Sequence, residues 1–282
     1  MKKSIHHPVF LKETLDALNV KNNGKYIDAT YGMGGHSEEI SQKGGMVLGI
    51  DYEQSSINNA KVNQNTKIKL VKGNFKDICA IAKKNNYEKV DGIIFDLGLS
   101  WYELENLPLG LSYKNTNQKL DMRLSDEFDL NASDIIKSTT TKNLANYLFL
   151  ISQETNSDLI AREIKKLSSN KYDLTVGMLV SAIAKVVPSS VLESTLKRVF
   201  QTLRILVNHE FENLTQALND CPKILEKNAV VVVITFHQSE DRLVKDLLNK
   251  PYFVNHYKKP LSSKSTKRYE ASARLRAVRY IS

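Results

Sequence analysis

The sequence has few of the residues that organise secreted or metal-bound scaffolds. Its two cysteines, Cys79 and Cys221, are far apart, and neither belongs to a Cys-x-x-Cys pair or a Cys/His cluster. A disulfide framework or a structural zinc site is therefore not expected. With 12 glycines and 6 prolines among 282 residues, the composition is also not that of a fibrous protein.

Long apolar runs are equally scarce. The longest, residues 229–236, is far shorter than the approximately 20 residues that cross a bilayer. The start of the chain carries Lys2 and Lys3, as a signal peptide does, but His6 and His7 interrupt the apolar stretch that should follow. This histidine pair is not a metal site without further ligands. We expect no membrane association and no secretion, and a reducing compartment such as the cytoplasm fits best.

The remaining composition is that of a globular protein with a positive balance. Hydrophobic residues make up 41% of the chain and charged residues 25%. The 40 Lys and Arg residues outnumber the 31 Asp and Glu residues, so the formal net charge is +9. That excess is too large to ignore and too small to define a function. A chain of this length buries roughly 75% of its unfolded surface, enough for one large core or for a core with a smaller second domain.

Short apolar runs alternate with longer amphipathic runs over the first 97 residues, which predicts repeated strand and helix units. Parallel strands are buried on both faces and therefore have continuous apolar sequences. Strands are predicted at residues 25–29, 46–50, 68–71 and 90–97, and helices at 36–43, 54–64 and 75–85. The later elements are a strand at 229–236, a helix at 241–249, a strand at 252–258, a polar loop through Lys267 and a final strand at 275–281.

The middle of the chain has a different pattern of apolar residues. From about residue 126 to residue 204 the strand-like runs disappear and apolar residues recur at helical spacing. A helix at 208–219 then returns to the sheet. We therefore expect a sheet domain made of residues 1–120 and 206–282, and a helical insertion of residues 121–205 that binds substrate.

A glycine turn follows the first predicted strand. Gly32, Gly34 and Gly35 permit positive φ and close approach of a ligand, and the helix that follows offers free amides. A dinucleotide fingerprint would need another glycine where this chain has Ser37. Asp28, before the turn, suits a sulfonium or ammonium group better than a pyrophosphate. The alternative to a ligand-binding turn is a turn that needs these glycines for structural reasons alone.

Polar residues follow the other predicted parallel strands. Asp51 follows the second strand, where a carboxylate can accept both hydroxyls of an adenosine ribose. Asn74 and Phe75 follow the third strand, and Asp96 ends the fourth. Because open α/β sheets bind ligands at the carboxyl ends of their strands, this pattern predicts a site for S-adenosylmethionine.

Several strings of residues are distinctive in this order. They are His-Pro-Val at 7–9, Asp-Ala-Thr at 28–30, Gly-Met-Gly-Gly-His at 32–36, Asp-Gly-Ile-Ile-Phe-Asp-Leu-Gly at 91–98, Leu-Asp-Met-Arg at 120–123, Phe-Gln-Thr-Leu-Arg-Ile at 200–205 and Phe-His-Gln-Ser-Glu-Asp-Arg at 236–242. In these strings the chain resembles, nearly end to end, the bacterial methyltransferases that modify cytosine N(4) in small-subunit ribosomal RNA, the RsmH or MraW family.

The resemblance implies a Rossmann-like S-adenosylmethionine-dependent methyltransferase sheet, of class α/β, with an inserted all-helical domain. It implies S-adenosylmethionine as cofactor and the small ribosomal subunit with its 16S rRNA as partner. It places the cofactor against Gly34, Gly35, His36, Asp51, Phe75, Asp96 and Glu103. Glu103 stands where the family usually has Gln, and a carboxylate accepts hydrogen bonds without donating them. Further departures, at Trp101, Gln238-Ser239 and Glu270-Ala271, indicate either drift or a weakened substrate site.

Methyl transfer to an exocyclic amine needs an aligned nucleophile and an acceptor for the amine hydrogen. Asp96 is the first candidate acceptor, and a capping role is its alternative. His237 is the second, and a structural histidine is its alternative. Methylation at cytosine C5 would need a thiolate, usually from a Pro-Cys pair, whereas this chain has only the reversed pair Cys221-Pro222.

Aromatic and basic residues predict contacts with RNA. Trp101 and Tyr113 follow the fourth strand, where they could stack on an extracted base or simply pack. Residues 258–279 carry eight basic side chains against Glu270; a phosphate-binding surface and a solvated basic tail are the two interpretations. The basic residues selected for RNA contact are Lys264, Lys267, Arg268 and Arg274.

The leading hypothesis is therefore methylation of N(4) of the decoding-centre cytosine in 16S rRNA. A non-catalytic RNA- or ribosome-binding protein with a degenerate methyltransferase fold is one alternative. A nicotinamide oxidoreductase is another, which Ser37 disfavours. The oligomeric state is left open, with a homodimer as one option.

Overall fold

The computed structural model describes residues 8–52, 67–99, 107–265 and 270–282. The chain divides into two compact units. The first comprises Met1–Gly98 together with Phe211–Ser282, and the second comprises Leu99–Glu210. The second unit therefore begins earlier and ends later than the helical insertion expected at 121–205.

The first unit contains one sheet. Its described strands are β1 (Lys25–Asp28), β2 (Met46–Asp51), β3 (Ile68–Lys72), β4 (Val90–Asp96), β5 (Leu225–Thr235), β6 (Phe253–Asn255), β7 (Leu261–Ser262) and β8 (Arg274–Tyr280). Their order is β3-β2-β1-β4-β5-β8-β6, with β7 paired to β8. Neighbours among β1 to β5 are parallel, and β8 is antiparallel to its partners. This order confirms the predicted Rossmann-like α/β class.

The described helices are α1 (Leu11–Leu18), α2 (Gly35–Gln42), α3 (Ile78–Lys84), α4 (Ala132–Ser138), α5 (Thr141–Ser152), α6 (Ser157–Lys165), α7 (Val176–Ala184), α8 (Ser189–Val207), α9 (Glu210–Asp220) and α10 (Gln238–Leu248). The helix predicted at 54–64 lies outside the described residues. The segment predicted as a helix at 75–85 begins with a 3-10 turn, Phe75–Asp77, before α3.

Both faces of the sheet are buried, which explains the continuous apolar sequence of the central strands. In β4, Ile93 and Phe95 belong to one apolar core, and Ile94 belongs to the core on the other face. Residues of α3, α9 and α10 pack into the first core, and residues of α1 and α2 pack into the second. Helices therefore cover the sheet on both sides.

The strands differ from the prediction mainly after the insertion. β5 begins at the buried Leu225, before the predicted residue 229; the prediction began late because three exposed polar residues, 226–228, separate Leu225 from the apolar run. β6 is shorter than the predicted 252–258. β7 lies in the segment predicted as a polar loop, where Leu261 pairs with Leu275 of β8.

The second unit has a core of its own, to which α4 to α8 contribute buried apolar side chains. Leu111 and Leu120 precede these helices in the chain but pack into the same core. Lys119 also forms a β-bridge with Thr175. This extended segment belongs to the helical unit, which explains why the boundary lies before residue 121. Across the four described ranges, no helix combines the length and the apolar character that crossing a bilayer requires.

Candidate active site at the carboxyl edge of the sheet

Three acidic residues end strands in the first unit. Asp28 is the last residue of β1, Asp51 of β2 and Asp96 of β4. The strand order reverses at β1, which has β2 on one side and β4 on the other. In open α/β sheets such a reversal leaves a crevice at the carboxyl ends of the strands, where ligands bind. The three carboxylates therefore lie at one edge of the sheet, the edge that the sequence predicted.

The turn between β1 and α2 has space only for glycine at two positions. Gly34 precedes α2 with a φ of 80°, and an added Cβ would lie 2.4 Å from Oη of Tyr31. At Gly35, an added Cβ would lie 2.3 Å from Cγ of Pro8. These glycines thus have a structural role. The turn also places the free amides of the first turn of α2 at the carboxyl edge, where they can donate to a ligand.

Two of the carboxylates hold this turn in place. Oδ2 of Asp51 accepts a hydrogen bond from the amide of Gly32 at 2.7 Å. Asp28 is buried and accepts hydrogen bonds from Oγ of Ser37 at 2.6 Å and from the amide of Thr30 at 3.3 Å. Burial raises the pKa of Asp28, because the charged form is poorly solvated there. Asp28 is thus an anchor of the turn.

Asp96 differs because one of its carboxylate oxygens has no hydrogen-bond partner among the residues that the structure describes. Its backbone amide donates to Oγ1 of Thr30 at 2.7 Å, which fixes the end of β4 against the turn. Oδ2 lies 3.5 Å from Nε2 of His36. Oδ1 is buried, and no residue in the described ranges donates to it. Because buried polar atoms are nearly always hydrogen-bonded, Oδ1 marks a place where a ligand can donate.

His36 is the second residue of α2 and is 4% exposed. Burial alone would lower the pKa of His36, but the interaction with the nearby carboxylate of Asp96, together with the charge of Asp28, outweighs burial and raises the pKa above the usual value. The ring is therefore more protonated than a free histidine at the same pH.

The end of β3 adds an amide and an aromatic ring. Oδ1 of Asn74 accepts from the amide of Lys76 at 2.9 Å, while its Nδ2 is buried with no partner among the described residues. The ring of Phe75 meets the rings of Tyr52 and Phe95 edge to face, with centroids 6.2 Å and 5.8 Å apart. Tyr52 directly follows Asp51, so aromatic surface accompanies the carboxylate expected to hold a ribose.

His237 has contacts at both ring nitrogens. It precedes α10, and its Nδ1 accepts from the amide of Glu240 at 3.3 Å and lies 3.0 Å from Oγ of Ser239. Its Nε2 lies 2.5 Å from Oε1 of Glu240, and its ring lies 6.2 Å from that of Phe211. Because Nδ1 accepts a hydrogen bond, we assign the ring proton to Nε2. These contacts are those of a helix-capping histidine, and the catalytic role of His237 stays a prediction.

Comparison with known proteins identifies the family. A family model described as the MraW methylase family matches residues 3–276. The chain belongs to this family. A protein from Clostridium botulinum strain Kyoto, named ribosomal RNA small subunit methyltransferase H, is 38% identical to this chain over 247 residues. The alignment covers 85% of this chain and 80% of the relative. In Acetivibrio thermocellus the identity is 36% over 256 residues, with 87% and 82% covered. A solved rRNA methylase from Streptococcus thermophilus aligns with a TM-score of 0.48 and 8% identity over 99% of this chain and 100% of that one.

Membership of the MraW family confirms the expected S-adenosylmethionine-dependent methyltransferase class. The described residues fit that cofactor. The buried Nδ2 of Asn74 offers a donor that has no partner among the described residues. Asp51 adds a carboxylate for hydroxyl groups, and Phe75 adds an aromatic ring. The group that each residue holds stays a prediction, and Glu103 lies outside the described residues.

The structure of this MraW family member describes only part of the predicted RNA contacts. Trp101, Lys267 and Arg268 lie outside the described residues. Tyr113 belongs to the second unit, where its hydroxyl donates to Oε1 of Glu193 at 3.1 Å and its ring lies 6.2 Å from that of Phe200. Tyr113 therefore has the packing partners that the alternative to base stacking predicted. Its stacking on a base stays a prediction.

The basic segment near the end of the chain is tied to α10. Lys264 is exposed. Nη1 of Arg274 donates to Oδ2 of Asp241 at 3.0 Å, and Nε and Nη2 of Arg276 donate to the same carboxylate at 2.7 Å and 3.0 Å. Arg274 keeps 45% of its side chain exposed, so it can contact a phosphate while paired with Asp241.

Thr30 and Ser37 contribute to this edge without having been predicted. Thr30 supports the Asp96 backbone through its hydroxyl, and Ser37 donates to Asp28. The signal was a hydroxyl side chain just after a strand-ending aspartate and another in the first turn of the next helix, where such groups bond locally to backbone or carboxylate. Neither is a ligand signal, which is why function-directed reasoning missed them.

Proposed function

We propose that this MraW family member transfers the methyl group of S-adenosylmethionine to the N(4) amine of a cytosine in small-subunit 16S rRNA, at the decoding centre. The observation that carries the proposal is the buried Oδ1 of Asp96, which no described residue satisfies. An amine that becomes a nucleophile needs an acceptor for its hydrogen, and a carboxylate oxygen supplies one. The shared name of the relatives, ribosomal RNA small subunit methyltransferase H, supports the substrate class.

When bound, S-adenosylmethionine supplies an electrophilic methyl group on a sulfonium centre. The cytosine nitrogen forms the new bond to the methyl carbon, the electron pair of the broken carbon–sulfur bond stays with sulfur, and one amine proton passes to Oδ1 of Asp96. Thr30 holds the Asp96 backbone for this step. The chain therefore aligns the amine with the methyl group and accepts the amine proton, and both effects increase the rate of methyl transfer.

The cofactor is held, in this proposal, by the residues that the family resemblance selects: Gly34, Gly35, His36, Asp51, Phe75, Asp96 and Glu103. Asp51 accepts the ribose hydroxyls, because a strand-ending carboxylate at this edge is placed for that task. The amides that begin α2 donate to polar groups of the cofactor.

RNA is bound, in this proposal, by Trp101, Tyr113, Lys264, Lys267, Arg268 and Arg274, and the helical unit contributes to substrate binding. The positive side chains neutralise phosphates, and the aromatic side chains stack on the extracted base. We place the reaction in the cytoplasm. The homodimer considered from the sequence stays a prediction, which sedimentation of the purified chain tests.

The test is methylation of small subunits isolated from cells that lack this chain. Purified protein and S-adenosylmethionine should add one methyl group to one cytosine, detected by mass spectrometry of RNA fragments. Asp96→Asn should lower turnover by about 100-fold or more. Asp77→Asn is the matched control, because Asp77 is an exposed acid just after β3, and it should behave as wild type.

The alternative is a non-catalytic protein that binds RNA or the ribosome with a degenerate methyltransferase fold. It predicts that the purified chain binds small-subunit RNA and leaves it unmethylated. Calorimetry with S-adenosylmethionine separates the two ideas further, because the enzyme must bind this cofactor and a purely RNA-binding protein need not.

A further inference from the structure

His36 presents a polar ring to the protein interior where an apolar side chain would avoid a desolvation cost. The ring is 4% exposed, and it follows Gly35 in the first turn of α2. Within the described ranges neither ring nitrogen has a hydrogen-bond partner, and Nε2 lies 3.5 Å from Oδ2 of Asp96, an ion-pair distance. Burying a polar group without full compensation is unfavourable, so the ring needs a reason other than packing.

The two oxygens of Asp96 have different surroundings. Oδ2 faces Nε2 of His36 at 3.5 Å. Oδ1 is buried and has no partner in the described part of the chain. Electrostatic attraction between the ring and the nearer carboxylate oxygen favours one orientation of the carboxylate, in which the other oxygen faces away from the ring.

We propose that His36 is a positioning residue whose imidazole holds Oδ2 of Asp96 and thereby leaves Oδ1 directed for the amine of the substrate. This role rests on the proposed methyl transfer and specifies how the acceptor is oriented. It is separate from the cofactor contact that the family resemblance implies for His36, because its partner is the Asp96 side chain.

The charges around the ring favour this role. The titratable groups that act on His36 are Asp96 at the end of β4 and Asp28 at the end of β1. Although burial opposes the charged ring, these two carboxylates raise the pKa of His36. Asp28 is already engaged by Ser37 and by the amide of Thr30. Asp96 is therefore the carboxylate that the ring is free to orient.

The first test needs no substrate. The full chain, labelled with ¹⁵N-histidine, is titrated by NMR from about pH 5 to about pH 9, the range in which histidine changes charge. Asp96→Asn should lower the pKa of His36 by about one pH unit, because a neighbouring carboxylate stabilises the charged ring. Asp51→Asn, a charge removal at the same edge, should leave it unchanged. An unchanged His36 pKa in Asp96→Asn would overturn the proposal.

The second test separates positioning from packing. His36→Phe keeps a buried ring without a donor, whereas His36→Gln keeps an amide donor of similar reach. At saturating S-adenosylmethionine, His36→Phe should lower kcat for RNA methylation by about 100-fold, whereas loss of a cofactor contact alone would raise the KM for S-adenosylmethionine and leave kcat near wild type. His36→Gln should recover at least about tenfold of that loss.

A structural role would give a different pattern. Parallel losses of kcat, cofactor affinity and melting temperature in both variants would refute positioning, and so would wild-type kcat in His36→Phe. The proposed function has its own test: it is wrong if the wild-type chain transfers no methyl group to RNA. In that case the His36 titration in Asp96→Asn alone decides whether the imidazole holds this carboxylate.

Discussion

Asn208 ties the end of α8 to Met122: its Nδ2 donates to the Met122 carbonyl at 2.9 Å. Its Oδ1 accepts from the amide of Leu124 at 2.8 Å, so one buried side chain holds the end of the Leu-Asp-Met-Arg string and the residue that follows it. Met122 has a φ of 66°, a left-handed conformation that is strained for a residue with a long side chain. A single asparagine thus joins the end of α8 to the Leu-Asp-Met-Arg string.

Asn208→Ala should destabilise the second unit, because it leaves the Met122 carbonyl and the Leu124 amide without their partner. We expect the free energy of unfolding to fall by about 2 kcal/mol, the usual cost of unsatisfied buried groups. Urea denaturation followed by circular dichroism measures it. Asn143→Ala, at an exposed position of α5, should change stability by less than about 0.5 kcal/mol. Equal losses in the two variants would contradict the bridging role.

Asp51→Asn should weaken binding of S-adenosylmethionine, because it replaces the charged acceptor at the end of β2 with a neutral amide. Hydrogen bonds to charged groups contribute about 1.5–3 kcal/mol, so we expect a loss of affinity of about 10- to 100-fold. The amide oxygen can still accept from Gly32, which preserves the turn. Calorimetry measures the affinity. Asp77→Asn removes an exposed charge after β3, and a similar loss in that control would mean that net charge, and not Asp51, is responsible.

Much of the sheet could be predicted from the sequence because its central strands are buried on both faces. The run that became β4 is apolar at Ile93, Ile94 and Phe95 alike, since these side chains fill cores on opposite sides. β7 could not be predicted in the same way. It has only two residues, and it is defined by the pairing of Leu261 with Leu275 of β8. No pattern within two residues indicates such a partner.

The candidate site was predictable in position but not in its contacts. That Asp51 and Asp96 lie at one edge follows from parallel strands alone. The approach of Nε2 of His36 to Oδ2 of Asp96 joins α2 to β4 and depends on register and packing. The contact between His237 and Glu240 lies at the start of a helix; the sequence offered a structural histidine as the alternative for His237 but did not indicate Glu240 as its partner.

Lys264→Ala combined with Lys267→Ala should weaken RNA binding mainly through the loss of phosphate contacts. Lys264 is exposed, and Lys267 lies outside the described residues. Each phosphate contact contributes about 0.7–0.9 to the slope of log affinity against log salt, so the double variant should reduce that slope by about 1.5. Cofactor affinity should not change. Fluorescence anisotropy with a small-subunit RNA fragment over a salt series measures the slope.

The matched control for this pair is Lys83→Ala combined with Lys84→Ala. These lysines are exposed at the end of α3, so their loss changes the net charge by the same amount. RNA binding with an unchanged salt slope is expected for this control. If both double variants reduce the slope equally, general attraction by the positive chain explains RNA binding and the segment at 258–279 has no special part in it.

Asp241→Asn should destabilise the protein at neutral pH and much less in acid. Burial opposes the charged form of Asp241, but hydrogen bonds and charges from Arg276 and Arg274 outweigh it and lower the pKa of Asp241 below its ordinary value. As the pH falls through that ordinary value of about 4, the unfolded chain takes up a proton that the folded chain does not, so this contribution is complete above pH 4 and is lost on further acidification. Urea unfolding of wild type and Asp241→Asn at several pH values should therefore show a difference in stability that is largest near neutrality, about 2 kcal/mol, and shrinks below pH 4. The control is Asp246→Asn, at an exposed position on the same helix, and its stability should match that of wild type at every pH. If the stability difference between wild type and Asp241→Asn persists undiminished in acid, the ion pairs with the two arginines do not stabilise the fold.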